Sequence, residues 1–223
     1  MSKVSRGLTG EKKVISLLKG IKERHYVFND VTLLNQTSEM SHQIDHILIH
    51  PHGLFVIETK NYFGNIQVEE DGTWTKTIRG QKQRIHSPLS QNKSHAITLR
   101  KALKSKYKPI PVVVFVKNNA PYLPDENVIN LGDLLLFISS YPYTQKYSDD
   151  QLEEIKAMIE QISVDISKQE HLENIATMKK VRKELEAEMT YAIETGLCPR
   201  CDHKIKEENY SYLCPHCGYH FKL

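Results

Sequence analysis

The chain has 223 residues, enough for one domain of about 150 residues and a remainder too small to bury a core of its own. Hydrophobic residues at 39%, charged residues at 26% and a net charge of +3 exclude wholesale disorder and low-complexity composition. No run of about 18 apolar residues could span a membrane, and the first residues lack the apolar stretch of a signal peptide. We therefore expect a cytoplasmic protein.

Charge is divided unevenly along the chain. Residues 1–110 carry 18 Lys and Arg against 9 Asp and Glu, whereas residues 111–223 carry 12 against 18. From Gly72 to Pro124 there are eleven basic residues and no acidic one. Such a run forms either a solvated face or a surface for a polyanion, and we favour the second because the acids of the same half are grouped. The candidate nucleic-acid contacts are Arg79, Lys82, Arg84, Lys93 and Arg100.

The first hundred residues predict a helix followed by strands. Apolar side chains at helical spacing predict an amphipathic helix over residues 8–24, with Glu11 in its first turns. A strand over 26–34 follows. The β-rich runs 43–49 and 54–60 flank His50-Pro51-His52-Gly53, which predicts a hairpin, and residues 66–68 and 74–78 predict another.

The middle of the chain predicts helices on either side of a buried strand. Ser87 is a candidate N-cap, with Pro88 at the first helical position of a helix that extends to about Lys104. The apolar run 110–116 predicts a strand covered on both faces. Further predicted elements are a strand at 128–130, a helix at 131–140, a helix capped by Ser148, and a charged helix over 171–194 that lacks Pro and Gly.

This order of elements predicts an α/β fold in which helices flank a mixed sheet. We expect a first domain over residues 1–145, a helical connector over 146–196 and a small domain over 197–223.

The first predicted hairpin brings two acids together. If Pro51 and His52 form its turn, Asp45 directly faces Glu58, with Cβ atoms about 4.5–5.5 Å apart. Lys60 lies on the same side of the strand as Glu58, because side chains alternate with a period of two. One cation beside two carboxylates leaves room for a hard divalent metal ion. A structural salt-bridge cluster fits the geometry equally well, and a three-residue loop would put the two acids on opposite faces.

The residues around this hairpin resemble the nuclease-related domain, NERD, of the restriction-endonuclease-like PD-(D/E)xK phosphodiesterase superfamily, whose signature is Asp followed by Glu-x-Lys. The resemblance continues to about residue 140 and implies the restriction-endonuclease-like fold and hydrolysis of DNA. It is carried by Gly7-x-x-Gly10-Glu11, Gln43-Ile-Asp-His-Ile-Leu-Ile49, Gly53-Leu-Phe-Val-Ile-Glu-Thr-Lys-Asn61, Gly64 and Pro88-Leu-x-Gln91.

The resemblance also implies a role for each matching residue. Asp45 and Glu58 would ligate Mg²⁺ or Mn²⁺, and Glu11 would complete the outer coordination of the metal. Lys60 would orient the attacking water and stabilise charge on the phosphate, and Gln91 would line the pocket. Lys60 could act as an electrostatic clamp or as the general base, and the sequence leaves both open.

His95 follows Gln91 by one helical turn and could share its face. We expect His95 to be a surface or substrate-contact residue rather than a catalytic base.

All four cysteines lie in the last 26 residues, as two C-x-x-C pairs separated by twelve residues. This spacing is typical of a structural Zn²⁺ site with four thiolate ligands, and disulfides are the weaker alternative in a reducing compartment. The 27 residues from Leu197 have few apolar side chains, so the metal would supply the missing stability. The ligands would be Cys198, Cys201, Cys214 and Cys217, with His203, His216 and His220 as substitutes.

The cysteine pattern resembles a zinc ribbon, a module that often grips nucleic acid. An aromatic patch could stack on bases, or the ribbon could be a structural cap or a protein-docking element. The patch consists of Tyr210, Tyr212, Tyr219 and Phe221.

Our first hypothesis is a nuclease that uses Mg²⁺ or Mn²⁺ and holds DNA partly through the zinc ribbon. The alternatives are a catalytically silent DNA-binding or scaffolding protein with the same fold, and an RNA-directed variant. By analogy with related folds, in which two active sites cut two strands, a homodimer is a further hypothesis.

Overall fold

The computed structural model describes residues 3–34, 41–117, 125–141, 146–163, 168–208 and 211–222. The chain divides into two compact units, Met1–Ile166 and Ser167–Leu223. Each unit is described by itself. In the described part of the chain, the helices are too short or too polar to cross a membrane.

The first unit combines helices with a central sheet and a smaller sheet. Its helices are α1 (Lys3–Leu18), α2 (Pro88–Ala102), α3 (Leu134–Ser140), which follows a 3-10 turn at Leu131–Asp133, and α4 (Asp149–Ile162). Its strands are β1 (Tyr26–Leu34), β2 (Ser41–His50), β3 (Gly53–Lys60), β4 (Asn65–Val68), β5 (Trp74–Ile78), β6 (Gln81–Arg84), β7 (Pro109–Phe115) and β8 (Val128–Asn130).

The central sheet is mixed, as the sequence predicts. Its strand order is β1-β2-β3-β7-β8, with β1, β2 and β3 antiparallel and with β7 parallel to both β3 and β8. The connection from β3 to β7 contains the small antiparallel sheet β4-β5-β6 and helix α2. Strand β7 lies inside the sheet, and its residues 112–115 are buried, which confirms the predicted covered strand.

Helices cover the central sheet on both faces. On one face, α2 and α4 pack against a core that includes Ile47, Ile49, Leu54 and Val56. On the other face, α1 and α3 pack against a core that includes Leu48, Phe55, Ile57 and Val114. The alternation of these side chains along β2 and β3 therefore divides the apolar residues between the two layers.

Two predicted helix starts are confirmed by their caps. The backbone N–H of Ser90 donates to Ser87 Oγ at 3.1 Å, with Pro88 at the first helical position. The N–H of Gln151 donates to Ser148 Oγ at 3.4 Å, and the N–H of Ser148 donates to the Gln151 side chain at 3.0 Å. The second pair is a capping box.

Two other predictions are wrong in detail. Helix α1 ends at Leu18 instead of residue 24, because the N–H groups of Gly20 and Ile21 turn back to carbonyls three residues earlier and close the helix. Strand β6 is absent from the predicted elements. Its four side chains are all polar and exposed, so the sequence offers no apolar alternation there.

The second unit consists of one long helix and a small sheet. Helix α5 spans Lys168–Thr195. The strands β9 (Lys206–Glu208), β10 (Ser211–Leu213) and β11 (His220–Lys222) form an antiparallel sheet with β10 in the middle. The core of this unit is small and contains two of the cysteines; its buried residues are Ala192, Cys198, Tyr212, Cys214, Tyr219 and Phe221.

Candidate active site and candidate metal centre

The β2–β3 hairpin has the predicted two-residue turn. His50 pairs with Gly53, Ile49 with Leu54, and the ladder continues to His46 and Ile57. The pairing ends there, one pair before the position at which Asp45 would face Glu58. Instead, the N–H of Thr59 donates to Asp45 Oδ2 at 2.8 Å, so the carboxylate of Asp45 takes the place of a backbone acceptor.

At this point, the side chains of β1 and β2 switch from one face of the sheet to the other. Ile44 and Ile47 belong to the same core cluster although they are three residues apart, and a regular strand would point them to opposite faces. Asp30, opposite in the β1–β2 pair, has a positive φ of 54°, a conformation that Asp tolerates better than most residues. Asp45 therefore lies at an irregularity of the sheet, where its side chain can bind the end of β3.

Glu58 and Lys60 point from the end of β3 towards α2. Glu58 is buried, and Lys60 Nζ donates to Glu58 Oε1 at 2.5 Å and to Gln91 Oε1 at 3.3 Å. His95 Nδ1 lies 3.6 Å from Glu58 Oε2. The structure thus brings the predicted Glu58, Lys60 and Gln91 together and adds His95.

His95 corrects one prediction. It is a buried residue with 7% of its surface exposed, and its ring packs edge-on against His42 with centroids 5.5 Å apart. The expected surface position is therefore wrong. Spacing along α2 puts His95 one turn after Gln91, but only the packing of α2 on β3 shows that this face of the helix is covered.

Glu11 approaches from the opposite layer of the sheet. The preceding residue, Gly10, lies so close to the sheet that a Cβ there would be 3.0 Å from Asn61 Cβ and 3.2 Å from Thr59 Cγ2. This close approach explains the glycine, and it brings the charge of Glu11 near Asp45, whose pKa it helps to raise.

Asn92 is a structural residue of the site that sequence reasoning missed. It is fully buried, and its side-chain nitrogen donates to the carbonyl oxygens of Val56 at 2.8 Å and Val112 at 2.9 Å. These two bonds fix α2 to β3 and β7. They lie next to Gln91 on the helix and two residues before Glu58 on β3. Asn92 occupies a buried position between Leu89 and Ala96 at helical spacing, and this pattern could have identified it.

The charges at the site influence one another strongly. Burial and the neighbouring Glu58 carboxylate raise the pKa of Asp45 to about 7, against the N–H of Thr59, which lowers it. Burial alone would lower the pKa of Lys60, but Glu58 and the other neighbours outweigh burial and raise it. The charge of Glu58 therefore acts on Asp45, although the two residues do not form a pair of the strand ladder.

The chemistry of these residues suits the binding of a divalent cation. Two carboxylates that repel each other gain from a cation between them, and Mg²⁺ commonly keeps water on its remaining positions. Among the described residues, however, the carboxylates of Glu11, Asp45 and Glu58 do not form a set within 4.8 Å of one another.

The predicted nucleic-acid contacts lie in the β5–β6 hairpin and on α2. Arg79 belongs to the turn between β5 and β6, and Lys82 and Arg84 lie on β6. Lys93 and Arg100 lie on α2.

Two of these cations face acids. Lys82 Nζ is 2.8 Å from Glu69, and Lys93 Nζ is 3.7 Å from Asp125. Arg79, Arg84 and Arg100 are exposed.

The four cysteines of the second unit converge. Their sulfur atoms lie within 4.8 Å of one another, with 3.5 Å between Cys198 and Cys217 and 3.5 Å between Cys201 and Cys214. All four are free thiols, so the disulfide alternative is not supported. Tetrahedral Zn²⁺ with bonds of about 2.3 Å would hold its sulfurs about 3.8 Å apart, close to these distances. The thiols act on one another in opposite directions: the N–H of Cys217 lowers the pKa of Cys214 to about 6, whereas, against the N–H of His203, burial and the neighbouring thiols raise the pKa of Cys201 to about 12.

The surroundings of the cysteines correct one expectation. Tyr212, Tyr219 and Phe221 are buried and form the core of the ribbon, so the predicted use of these rings for base stacking is wrong. Tyr210 lies outside the described residues. His203 and His216 stack with ring centroids 3.7 Å apart and could join Cys201 in holding a metal ion.

Comparison with known proteins gives two matches. A family model described as nuclease-related domain matches residues 6–116, a segment that contains all five predicted catalytic residues and none of the cysteines. An uncharacterized protein of Bacillus anthracis is 30% identical over 152 residues, which cover 65% of this chain and 71% of the relative. No solved structure matches the chain.

Proposed function

Because the chain belongs to the nuclease-related domain (NERD) family, we propose that it is a metal-dependent nuclease that hydrolyses the phosphodiester bonds of DNA. The observation that carries this proposal is the group formed by Asp45, Glu58 and Lys60, in which two repelling carboxylates and one ammonium group meet at the end of β3. Membership of the family supports a nuclease-related function. The group of Asp45, Glu58 and Lys60 supports hydrolysis that depends on a metal ion.

Asp45 and Glu58 are the residues that would hold Mg²⁺ or Mn²⁺. When bound, such an ion lowers the pKa of its water and polarises a phosphate oxygen. The N–H of Thr59 holds one oxygen of Asp45, and Lys60 holds one oxygen of Glu58. Each carboxylate is thus oriented by a fixed donor, and each keeps a second oxygen for other partners.

The remaining residues have supporting roles in this proposal. Lys60 would stabilise the negative charge that grows on the phosphate, since its neighbours keep it protonated. Gln91 orients Lys60 through their hydrogen bond, and Glu11 would complete the outer coordination of the metal. His95, beside Glu58, is a candidate to hold that carboxylate in place.

DNA would be held by positive charge and by the ribbon. Arg79 and Arg100 are the strongest candidates for phosphate contacts, because Lys82 and Lys93 already face acids and the charge of Arg84 acts on Asp71. A Zn²⁺ ion bound by the four cysteines would stabilise the ribbon, and the ribbon would assist DNA binding through groups other than its buried aromatic rings. A homodimer and a cytoplasmic location stay predictions from the sequence.

The substitution Glu58→Gln tests the catalytic proposal. It removes a charge but keeps the shape of the side chain and an oxygen that can accept from Lys60. We expect Mg²⁺- or Mn²⁺-dependent cleavage to fall by about 100-fold or more, because a neutral Gln no longer balances the positive charge of the metal ion at the phosphate. DNA affinity should change little. Cleavage of labelled DNA and binding by fluorescence anisotropy give the two readouts.

Glu70→Gln is the matched control, since Glu70 is an exposed acid in the turn before β5 and the chemical change is identical. Circular dichroism verifies that both variants fold. Equal cleavage by wild type and Glu58→Gln would remove Glu58 from the mechanism. If the wild type binds DNA but cleaves nothing with either metal, the silent DNA-binding alternative is correct, and cleavage of RNA alone identifies the RNA-directed alternative.

A further inference from the structure

Phe63 is an exposed aromatic residue that follows Lys60 of the candidate active site by three residues. It lies in the segment that follows β3, and 57% of its surface is exposed. Large aromatic side chains are usually buried, so a phenyl ring held in water beside a cluster of catalytic type calls for an explanation. The exposed large hydrophobic residues of the described chain are otherwise aliphatic, apart from Tyr191 in the second unit.

Three lysines lie close to the rings of Tyr62 and Phe63. Lys117 Nζ lies 5.1 Å from the centre of the Phe63 ring, and Lys76 Nζ lies 5.4 Å from the centre of the Tyr62 ring. Lys60 Nζ, which binds Glu58, lies 6.0 Å from the Tyr62 ring. The cations therefore continue from the carboxylates to the exposed ring, and a polyanion is the ligand that such a surface complements.

The segment is also held in place. Gly64 has a φ of 101°, and a Cβ there would lie 2.4 Å from the carbonyl oxygen of Thr77 on β5, so the chain is packed tightly against the small sheet. The Tyr62 ring packs against Phe115, which in turn stacks on Trp74. Phe63 is thus presented by a fixed backbone, which lowers the entropic cost of ordering it on binding.

We propose that Phe63 is a stacking platform for a base of an unpaired DNA strand, with Lys76 and Lys117 contacting the neighbouring phosphates. This assignment rests on the proposed nuclease function and specifies its substrate as DNA with a single-stranded segment next to the cleaved bond. Aromatic rings beside cations bind single strands because every unpaired base offers a face for stacking. Bases of an intact duplex are already stacked on each other and cannot offer that face.

The test uses the full-length protein in buffer without added divalent ions, so that binding is measured without cleavage. A labelled single-stranded DNA, the same sequence as a duplex, and the same sequence as RNA are titrated by fluorescence anisotropy. We expect Phe63→Leu, which keeps an apolar side chain but removes the aromatic ring, to weaken single-stranded DNA binding about tenfold. Duplex affinity should stay the same, and Phe63→Trp should restore binding.

The lysines have a separate readout. Lys76→Gln and Lys117→Gln should each reduce the slope of log affinity against log salt by about 0.7 for the single strand. Leu136→Ala is the control, because Leu136 is an exposed apolar residue of α3, with 68% of its surface exposed, and should have no effect.

Equal single-strand binding by wild type and Phe63→Leu overturns the proposal, as does an equal loss for single strand and duplex. Tighter binding of the RNA, lost in Phe63→Leu, overturns the assignment to DNA. Because binding is measured without divalent ions, these outcomes are distinct from a failure of Glu58→Gln to abolish cleavage, which would concern the proposed function itself.

Discussion

Lys60 shows how the neighbours of a residue decide its chemistry. A buried lysine without partners loses its proton more easily, because burial disfavours charge. Here Glu58 at 2.5 Å and the other surrounding groups raise the pKa of Lys60 above its ordinary value. A protonated Lys60 can stabilise a phosphate, whereas a general base must first lose its proton. Of the two roles that the sequence leaves open, this environment favours the electrostatic one, and a divalent cation nearby would act in the opposite direction.

His50 makes the stability of the protein depend on pH. It is 2% exposed, and its Nδ1 accepts the N–H of His52 at 3.2 Å in the hairpin turn, which requires an unprotonated Nδ1. Burial, followed by the charge of His52, lowers the pKa of His50 to about 4. Since an unfolded histidine has a pKa of about 6.5, the folded state binds fewer protons in this interval. The stabilisation is complete above pH 6.5 and is lost as the pH falls towards 4.

We therefore expect His50→Asn to flatten the pH dependence of stability. The Asn side chain can accept the same N–H without titrating, as in an Asx turn. Between pH 6.5 and 4, the wild type should lose up to about 3 kcal/mol more than the variant, measured as the free energy of unfolding in urea. His86→Asn, a change at an exposed histidine, should behave like the wild type. Parallel curves for wild type and His50→Asn would contradict this explanation.

At the scale of elements, the sequence predicts what depends on local pattern. The hairpin turn at Pro51 and His52 follows from turn chemistry, and the buried face of α2 follows from the spacing of its apolar residues. The end of regular pairing at His46 does not follow, because the apolar pattern along β2 and β3 gives no sign of it. For the same reason, the binding of Asp45 to the N–H of Thr59 could not be predicted from alternation along β2.

The packing of α1 on the sheet depends on Gly10. In a helix, glycine costs about 1 kcal/mol relative to alanine, so Gly→Ala stabilises where space allows. At Gly10, a Cβ would be 3.0 Å from Asn61 Cβ and 3.3 Å from Val116 Cγ2, and at Gly7 its nearest neighbour is Glu11 Oε1 at 3.6 Å. The two glycines of one helix should therefore respond with opposite signs.

We expect Gly10→Ala to lower the free energy of unfolding by about 1–2 kcal/mol, since α1 must shift away from β3. Gly7→Ala should raise it by about 0.5–1 kcal/mol. The variants are compared by the midpoints of their urea unfolding curves, provided that the dependence of the unfolding free energy on urea concentration is unchanged. If Gly10→Ala stabilises the protein as much as Gly7→Ala does, the close approach of α1 to the sheet does not require a glycine at position 10.

At the scale of the whole molecule, the two units differ in what stabilises them. The first unit has apolar cores on both faces of a five-stranded sheet, whereas two of the six buried core residues of the second unit, Cys198 and Cys214, are candidate zinc ligands. A core of this size cannot stabilise a fold alone, and bound zinc contributes about 10–16 kcal/mol in small zinc domains. Stability of the second unit should thus depend on the metal.

Removing zinc from the full-length protein should therefore unfold the ribbon and leave the central sheet intact. With a zinc chelator such as 1,10-phenanthroline, we expect amide hydrogens of β10 and β11 to lose protection from exchange as zinc is released, while those of β2 and β3 keep theirs, because the central sheet has its own apolar core. Cys214→Ser should produce the same pattern without chelator, whereas Lys222→Gln, a substitution at an exposed position of β11 that supplies no ligand, should not. Protection of β10 that survives complete loss of zinc would mean that the apolar core of the ribbon suffices for folding.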